Sequence, residues 1–174
     1  AGAGTRDSLI QSADLQQRLD GWLLAAEVPV QDVRVRVVDS TRGDGTPISF
    51  GRVSRNDGHT VDLFVDMDRP IAEFYGDWEA THEFSHLLLP RVSARQRWIS
   101  EGFASYYQNV LMARAGRYTP EFAWQKLVAG FARGQDSRPD LSPNEAAREG
   151  IAGARMKIYW SGAALALLAD IELR

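Results

Sequence analysis

Two histidines four residues apart, His82 and His86, flank a carboxylate in the run His82-Glu83-Phe84-Ser85-His86. The apolar stretch around them, Trp78 to Leu89, reads as a helix, and Pro90 stops it. Residues four apart on a helix stack one turn above another, so both imidazoles can reach a single ion. Glu83 follows His82 by about 100° of rotation, near enough to touch a water on that ion without competing as a ligand. Neutral imidazoles suit Zn²⁺, which lowers the pKa of a bound water from about 15.7 to about 7. A carboxylate beside that water can accept its proton. The chemistry these residue types indicate is hydrolysis by a metal-activated water.

A catalytic zinc takes three protein ligands and keeps a further position open. The chain has 3 His, two of them in this motif, and no Cys, which excludes a thiolate zinc site. His59 flanks a turn and reads as a surface residue. Glu101 stands in Trp98-Ile99-Ser100-Glu101-Gly102-Phe103-Ala104-Ser105-Tyr106-Tyr107, which opens a second helix. The connection Pro90 to Arg97 is long enough to turn the chain back, and an antiparallel helix pair would set Glu101 beside the two imidazoles. Alone, a first-turn Glu is a solvated carboxylate favoured by the helix dipole. Behind the histidine pair it is the candidate third ligand.

His82-Glu83-x-x-His86 followed by Trp98-x-x-Glu101-Gly102-Phe103-Ala104 resembles the gluzincins, zinc peptidases whose third ligand is a Glu. Ser100-Glu101-Gly102 with Tyr106-Tyr107 is most similar to the M61 glycyl aminopeptidase family, relatives of the M1 aminopeptidases. A third block, Ile158-Tyr159-Trp160-Ser161-Gly162-Ala163-Ala164-Leu165, resembles the Tyr-x-x-Gly segment of both families. The resemblance implies one Zn²⁺ held by His82, His86 and Glu101, with Glu83 as general base and Tyr159 hydrogen-bonding the tetrahedral intermediate. It implies a thermolysin-like fold, a peptide or protein substrate, and Gly or Ala at the cleaved end. In that fold an edge strand beside the zinc helix pairs with extended substrate. Thr60 to Met67 is the candidate by proximity, with an ordinary sheet strand as the alternative.

Two departures stand out. The Gly-x-Met-x-Asn segment with which M1 aminopeptidases help hold the free amine has no counterpart in Met67 to Asp77. The interval between His86 and Glu101 is also shorter than is usual in M1, which favours the M61 comparison.

These residues need elements to position them. Ser8 or Ser12 can cap a helix to about Glu27, ended by Pro29. Val33 to Val38 reads as a strand with Val33, Val35 and Val37 inward and Arg34 and Arg36 outward. After a Gly-rich loop, Thr41 to Pro47, strands over Ile48 to Val53 and Thr60 to Met67 flank the hairpin signal Asn56-Asp57-Gly58. The second helix spans Trp98 to Ala115. Thr119-Pro120-Glu121 starts a third, to about Ala132, and Gly134 to Asp140 reads as a loop. Ser142-Pro143-x-Glu145 can start a short helix, and the connection through Gly153 would shape a cleft wall. Lys157 to Arg174 reads as a last helix with Leu165, Leu168 and Leu173 on its apolar stripe. Strands before helices indicate an α+β fold, a small mainly antiparallel sheet followed by a helical bundle.

At 174 residues and 44% hydrophobic, the expectation is a single catalytic domain over residues 1–174. The last helix lacks a Gly cap or Pro, so the chain is expected to be a fragment of a longer protein, with flanking domains missing. A net charge of −3 gives no reason to expect nucleic acid or an anionic membrane as partner. Basic residues are almost all Arg, with Lys only at 126 and 157, and the scattered Arg read as solvated surface. No stretch is long and apolar enough for a membrane span, and no basic segment with an apolar core opens the chain. The lack of Cys fixes no compartment, so localisation stays open.

Two rivals compete. Glu79-x-x-His82 and Glu83-x-x-His86 match the Glu-x-x-His element of di-iron bundles, but those need the element on two helices and here both copies overlap on one. The other is a non-enzymatic zinc- or peptide-binding module on the peptidase fold. Glu83 and Tyr159 argue against it, since a structural zinc needs neither. Ser105, Asp77 and Glu79 are candidates for orienting the histidines. Tyr106 and Tyr107 read as packing residues.

Overall fold

A computed structural model describes residues 32–40 and 45–173. The helix expected from Ser8 or Ser12 to Glu27 lies outside the described residues, as does the start of the Gly-rich loop, Thr41 to Asp44. The chain divides into two compact units, residues 1–88 and 89–174.

The first unit holds strands β1 (Val33–Asp39), β2 (Ile48–Ser54) and β3 (His59–Val65), then helix α1 (Ile71–Phe74) and helix α2 (Glu79–Ser85). β2 and β3 form the expected antiparallel hairpin, and Gly58 takes φ +79 at its turn, a value glycine adopts at no steric cost. The sheet order is β1-β3-β2, with β1 parallel to β3. The sheet is therefore mixed, not mainly antiparallel. A turn signal declares only the pairing of adjacent strands, and β1 reaches β3 across the whole of β2. The same order corrects the expected edge strand: β3 is central, hydrogen-bonded on both sides.

Alternation works as expected on the inner face. Val61, Leu63 and Val65 are buried against Ala80, Phe84 and Leu87 of the α2 region, with Val33, Val35 and Val37 packed around them. Residues 80, 84 and 87 recur at helical spacing, so one face of the short helix is committed to the sheet. On the outer face, Arg36 and Arg52 stand level with Asp62 in adjacent strands. Arg36 grips its carboxylate through Nε at 2.6 Å and Nη2 at 2.8 Å, and Arg52 reaches it through Nη2 at 2.6 Å. These arginines are thus not merely solvated: with Asp62 buried beneath them, they tie the three strands together. The Arg36 hydrogen bonds, opposed by burial, hold the Asp62 carboxyl at about 2, below its usual 3.8.

The second unit is helical: α3 (Arg97–Arg114), α4 (Pro120–Asp136), α5 (Pro143–Glu149) and α6 (Ile151–Glu172). Thr119 accepts from the Phe122 N–H at 3.2 Å and Pro120 fills the first turn, so α4 starts where expected. It runs beyond Ala132 to Asp136, because Gly130 and Gly134 are not breakers. They form a notch for the Trp160 indole, and a Cβ at Gly134 would come within 2.5 Å of Trp160 Cβ. Ser142 and Glu145 make a reciprocal capping box at the start of α5. α6 begins at Ile151, with a break at Ala154, so the segment through Gly153 is not only a connection. The expected stripe of Leu165, Leu168 and Leu173 is exposed. Ile158, Gly162 and Ala163 face inward instead, because the neighbouring helix approaches too closely for leucine.

α3 and α6 advance in the same sense. Trp98 joins the cluster around Ile158, Gly102 meets Gly162, and Tyr106 donates its hydroxyl to Asp170 Oδ2 at 2.7 Å. Tyr106 is buried with Leu127 and Ala163, a packing residue as expected. Among the described residues, no helix is long and apolar enough to cross a membrane.

Candidate metal centre

The histidine helix is short. Asp77 Oδ1 accepts the Glu79 N–H at 2.7 Å and so fixes the entry to α2. After Ser85 the backbone tightens into a 3₁₀ turn, His86–Leu88, just before Pro90. Arg55 donates from Nη2 to the His86 carbonyl, one of the acceptors that a helix end leaves without an intrahelical partner. His82 is buried and its ring meets that of His86 edge-on, centroids 5.0 Å apart. Trp78 walls the other side of His82, ring centroids 5.9 Å apart.

Glu83 is 7% exposed and lies against β2. The contact is with Gly51: a Cβ added there would overlap Glu83 Cγ and stand 2.9 Å from Cδ and 3.1 Å from Oε1. Sequence reading passed over Gly51, although an isolated glycine inside a strand signals a close approach of the backbone. Arg55 was passed over too, and nothing in its residue type announces a bond to a helix terminus. β2, not β3, is thus the strand beside Glu83, and it forms a sheet edge among the described residues.

Glu101 is half-buried and lies past the first turn of α3, not in it as expected, because the helix already begins at Arg97. Ser105 donates its hydroxyl to the Glu101 main-chain carbonyl at 2.7 Å and so steadies the turn between them. Tyr159 is half-buried on α6, packed against the cluster of Ala146, Ala154 and Ile158. His59, at the start of β3, is half-buried rather than fully on the surface.

His82 and His86 offer two imidazoles in the first unit, and Glu101 offers a carboxylate in the second. Two imidazole nitrogens and a carboxylate oxygen are the donor set of a catalytic zinc. The residues present fit the metal.

The M61 glycyl aminopeptidase family model matches residues 86–164. The matched segment contains His86, Glu101 and Tyr159, and it begins just after His82 and Glu83. No curated protein and no solved structure gives a match. The chain is similar to a peptidase family across the region from the second histidine to Ala164, as its motifs indicate.

Proposed function

We propose that this chain is a zinc-dependent metallopeptidase on a thermolysin-like scaffold, aminopeptidase-like and acting on peptides with small N-terminal residues. The observation that carries the reading is the edge-on pair of imidazoles, His82 and His86, on one short helix with the buried carboxylate Glu83 between them in sequence. The match to a peptidase family adds the reaction class.

Zinc, when bound, supplies a Lewis acid and a water acidified toward neutrality. His82, His86 and Glu101 would hold it, and the Glu101 carboxylate would offset part of its charge. Glu83 accepts the proton of the attacking water and delivers it to the leaving amine. Tyr159 donates its hydroxyl to the developing oxyanion. β2 offers an edge along which an extended peptide adds as a further strand beside Glu83.

The test is metal content and turnover of the full-length protein. Zinc bound at one per chain, with hydrolysis of Gly- or Ala-initiated peptides lost to a chelator and restored by zinc, is expected. A protein that binds no zinc and cleaves no peptide overturns the reading. A zinc-loaded but inert protein would favour the binding module.

A further inference from the structure

We infer that Gly51 is a positioning residue for Glu83, its missing side chain being the space that the Glu83 stem occupies. The inference rests on the reading of Glu83 as proton acceptor and extends it by one residue.

Conformation does not explain this glycine. It lies inside β2, paired with Leu63 of β3, and outside the positive-φ region that favours glycine. A glycine in a strand interior weakens the strand and packs nothing. What it provides is room. The first atom an added Cβ would meet is Glu83 Cγ, in the stem rather than at the flexible tip. A tip could swing aside with the carboxylate nearly in place, whereas a displaced Cγ carries the whole carboxyl group with it. Both partners are held. β2 is fixed by its regular ladder to β3 from Phe50 to Ser54, and Ala80, Phe84 and Leu87 seat the Glu83 helix in the core. The Glu83 side chain must therefore change rotamer when residue 51 gains a carbon. A displacement of about 1 Å at a reacting group can cost roughly 10²-fold in rate.

The experiment compares Gly51→Ala with Gly76→Ala, a control whose added Cβ has no neighbour closer than 4.0 Å. In Gly51→Ala, kcat is expected to fall by roughly 10²-fold, with KM and bound zinc unchanged, and Gly76→Ala should match wild type. In metal-free protein, proton NMR should show a contact between Glu83 γ-protons and Gly51 α-protons. In Gly51→Ala the Glu83 signals should move while those of other glutamates stay. Glu83→Asp, which withdraws the stem by one methylene, should cost much less in the Gly51→Ala background than in wild type.

Wild-type kcat in Gly51→Ala, together with an inert Glu83→Gln, overturns the positioning role alone. A Glu83→Gln variant that keeps most of its rate instead removes the underlying proton-acceptor reading. Should Gly51→Ala not fold while Gly51→Ala with Glu83→Asp does, the steric claim is supported. Absence of the wild-type NMR contact overturns the inference without recourse to any variant.

Discussion

Gly102 of α3 and Gly162 of α6 meet backbone against backbone, and a Cβ on either would collide with the other helix. Gly162 also abuts the Trp98 carbonyl. With no side chain between them, the helices are held in one register. Glu101 immediately precedes the crossing on α3, and Tyr159 lies one turn before it on α6. The glycines of the Glu-Gly and Tyr-x-x-Gly patterns are thus spacers that fix where two chemically capable side chains emerge. Gly102→Ala or Gly162→Ala must force the helices apart, and overpacking of this kind costs about 1–3 kcal/mol. Both variants should melt well below wild type, and Gly102→Ala should also bind zinc more weakly, because Glu101 shares its displacement. Calorimetry and zinc titration check this, and a wild-type melting temperature in both variants would refute the spacer role.

Asp62 gives the sheet a pH dependence of known sign. Its folded pKa of about 2 lies below the ordinary 3.8. The associated stability is fully present above about pH 5 and is lost as pH falls through 3.8 toward 2. At about 1.36 kcal/mol per unit, the shift amounts to something on the order of 2 kcal/mol. The exposed guanidiniums of Arg36 and Arg52 make it sensitive to salt. In urea titrations, the stability gap between wild type and Asp62→Asn should narrow steadily from pH 5 to pH 2. A gap that stays constant over that range would show that the carboxylate contributes through shape alone.

The capping box of α5 offers a test confined to stability. Ser142 Oγ accepts from the Glu145 N–H at 3.4 Å, while Glu145 Oε2 accepts from the Ser142 N–H at 2.9 Å. Ser142→Ala should cost about 1 kcal/mol and leave kcat alone, since α5 contributes no residue to the proposed chemistry. A loss of turnover without loss of stability would contradict that division.

Local signals carried much of this fold into the sequence. Asn56-Asp57-Gly58 declared its hairpin, Thr119-Pro120 and Ser142-Pro143 declared two helix starts, and His82 with His86 declared a shared face. What stayed hidden is decided by close approach and by pairing at a distance. Leucines 165, 168 and 173 make the stronger apolar pattern on α6, yet the face that packs is the one whose Gly162 and Ala163 let α3 come near. Gly134 looked like a loop residue until Trp160 supplied the reason for a helical glycine. The parallel pairing of β1 with β3 and the clamp on Asp62 join residues whose partners no short-range rule identifies. The candidate site followed the same division: the helical spacing of His82 and His86 was legible, and the room that Gly51 leaves for Glu83 was not.

Tyr159 and Glu83 should separate by the size of their effects. Tyr159 packs against Ala146, Ala154 and Ile158, and its neighbour Trp160 is seated on Gly130 and Gly134. Tyr159→Phe keeps the ring in that cluster and deletes only the hydroxyl, so the melting temperature and zinc content should hold. If the hydroxyl stabilises the oxyanion, kcat should drop by ~10²–10³-fold. Glu83→Gln keeps volume and hydrogen-bonding capacity but cannot accept the water's proton, so turnover should fall further still, again with zinc retained. Steady-state kinetics alongside metal analysis distinguish the two roles. A Tyr159→Phe enzyme with full activity would reduce Tyr159 to packing, whereas an undiminished Glu83→Gln enzyme would remove the general base from the proposed mechanism.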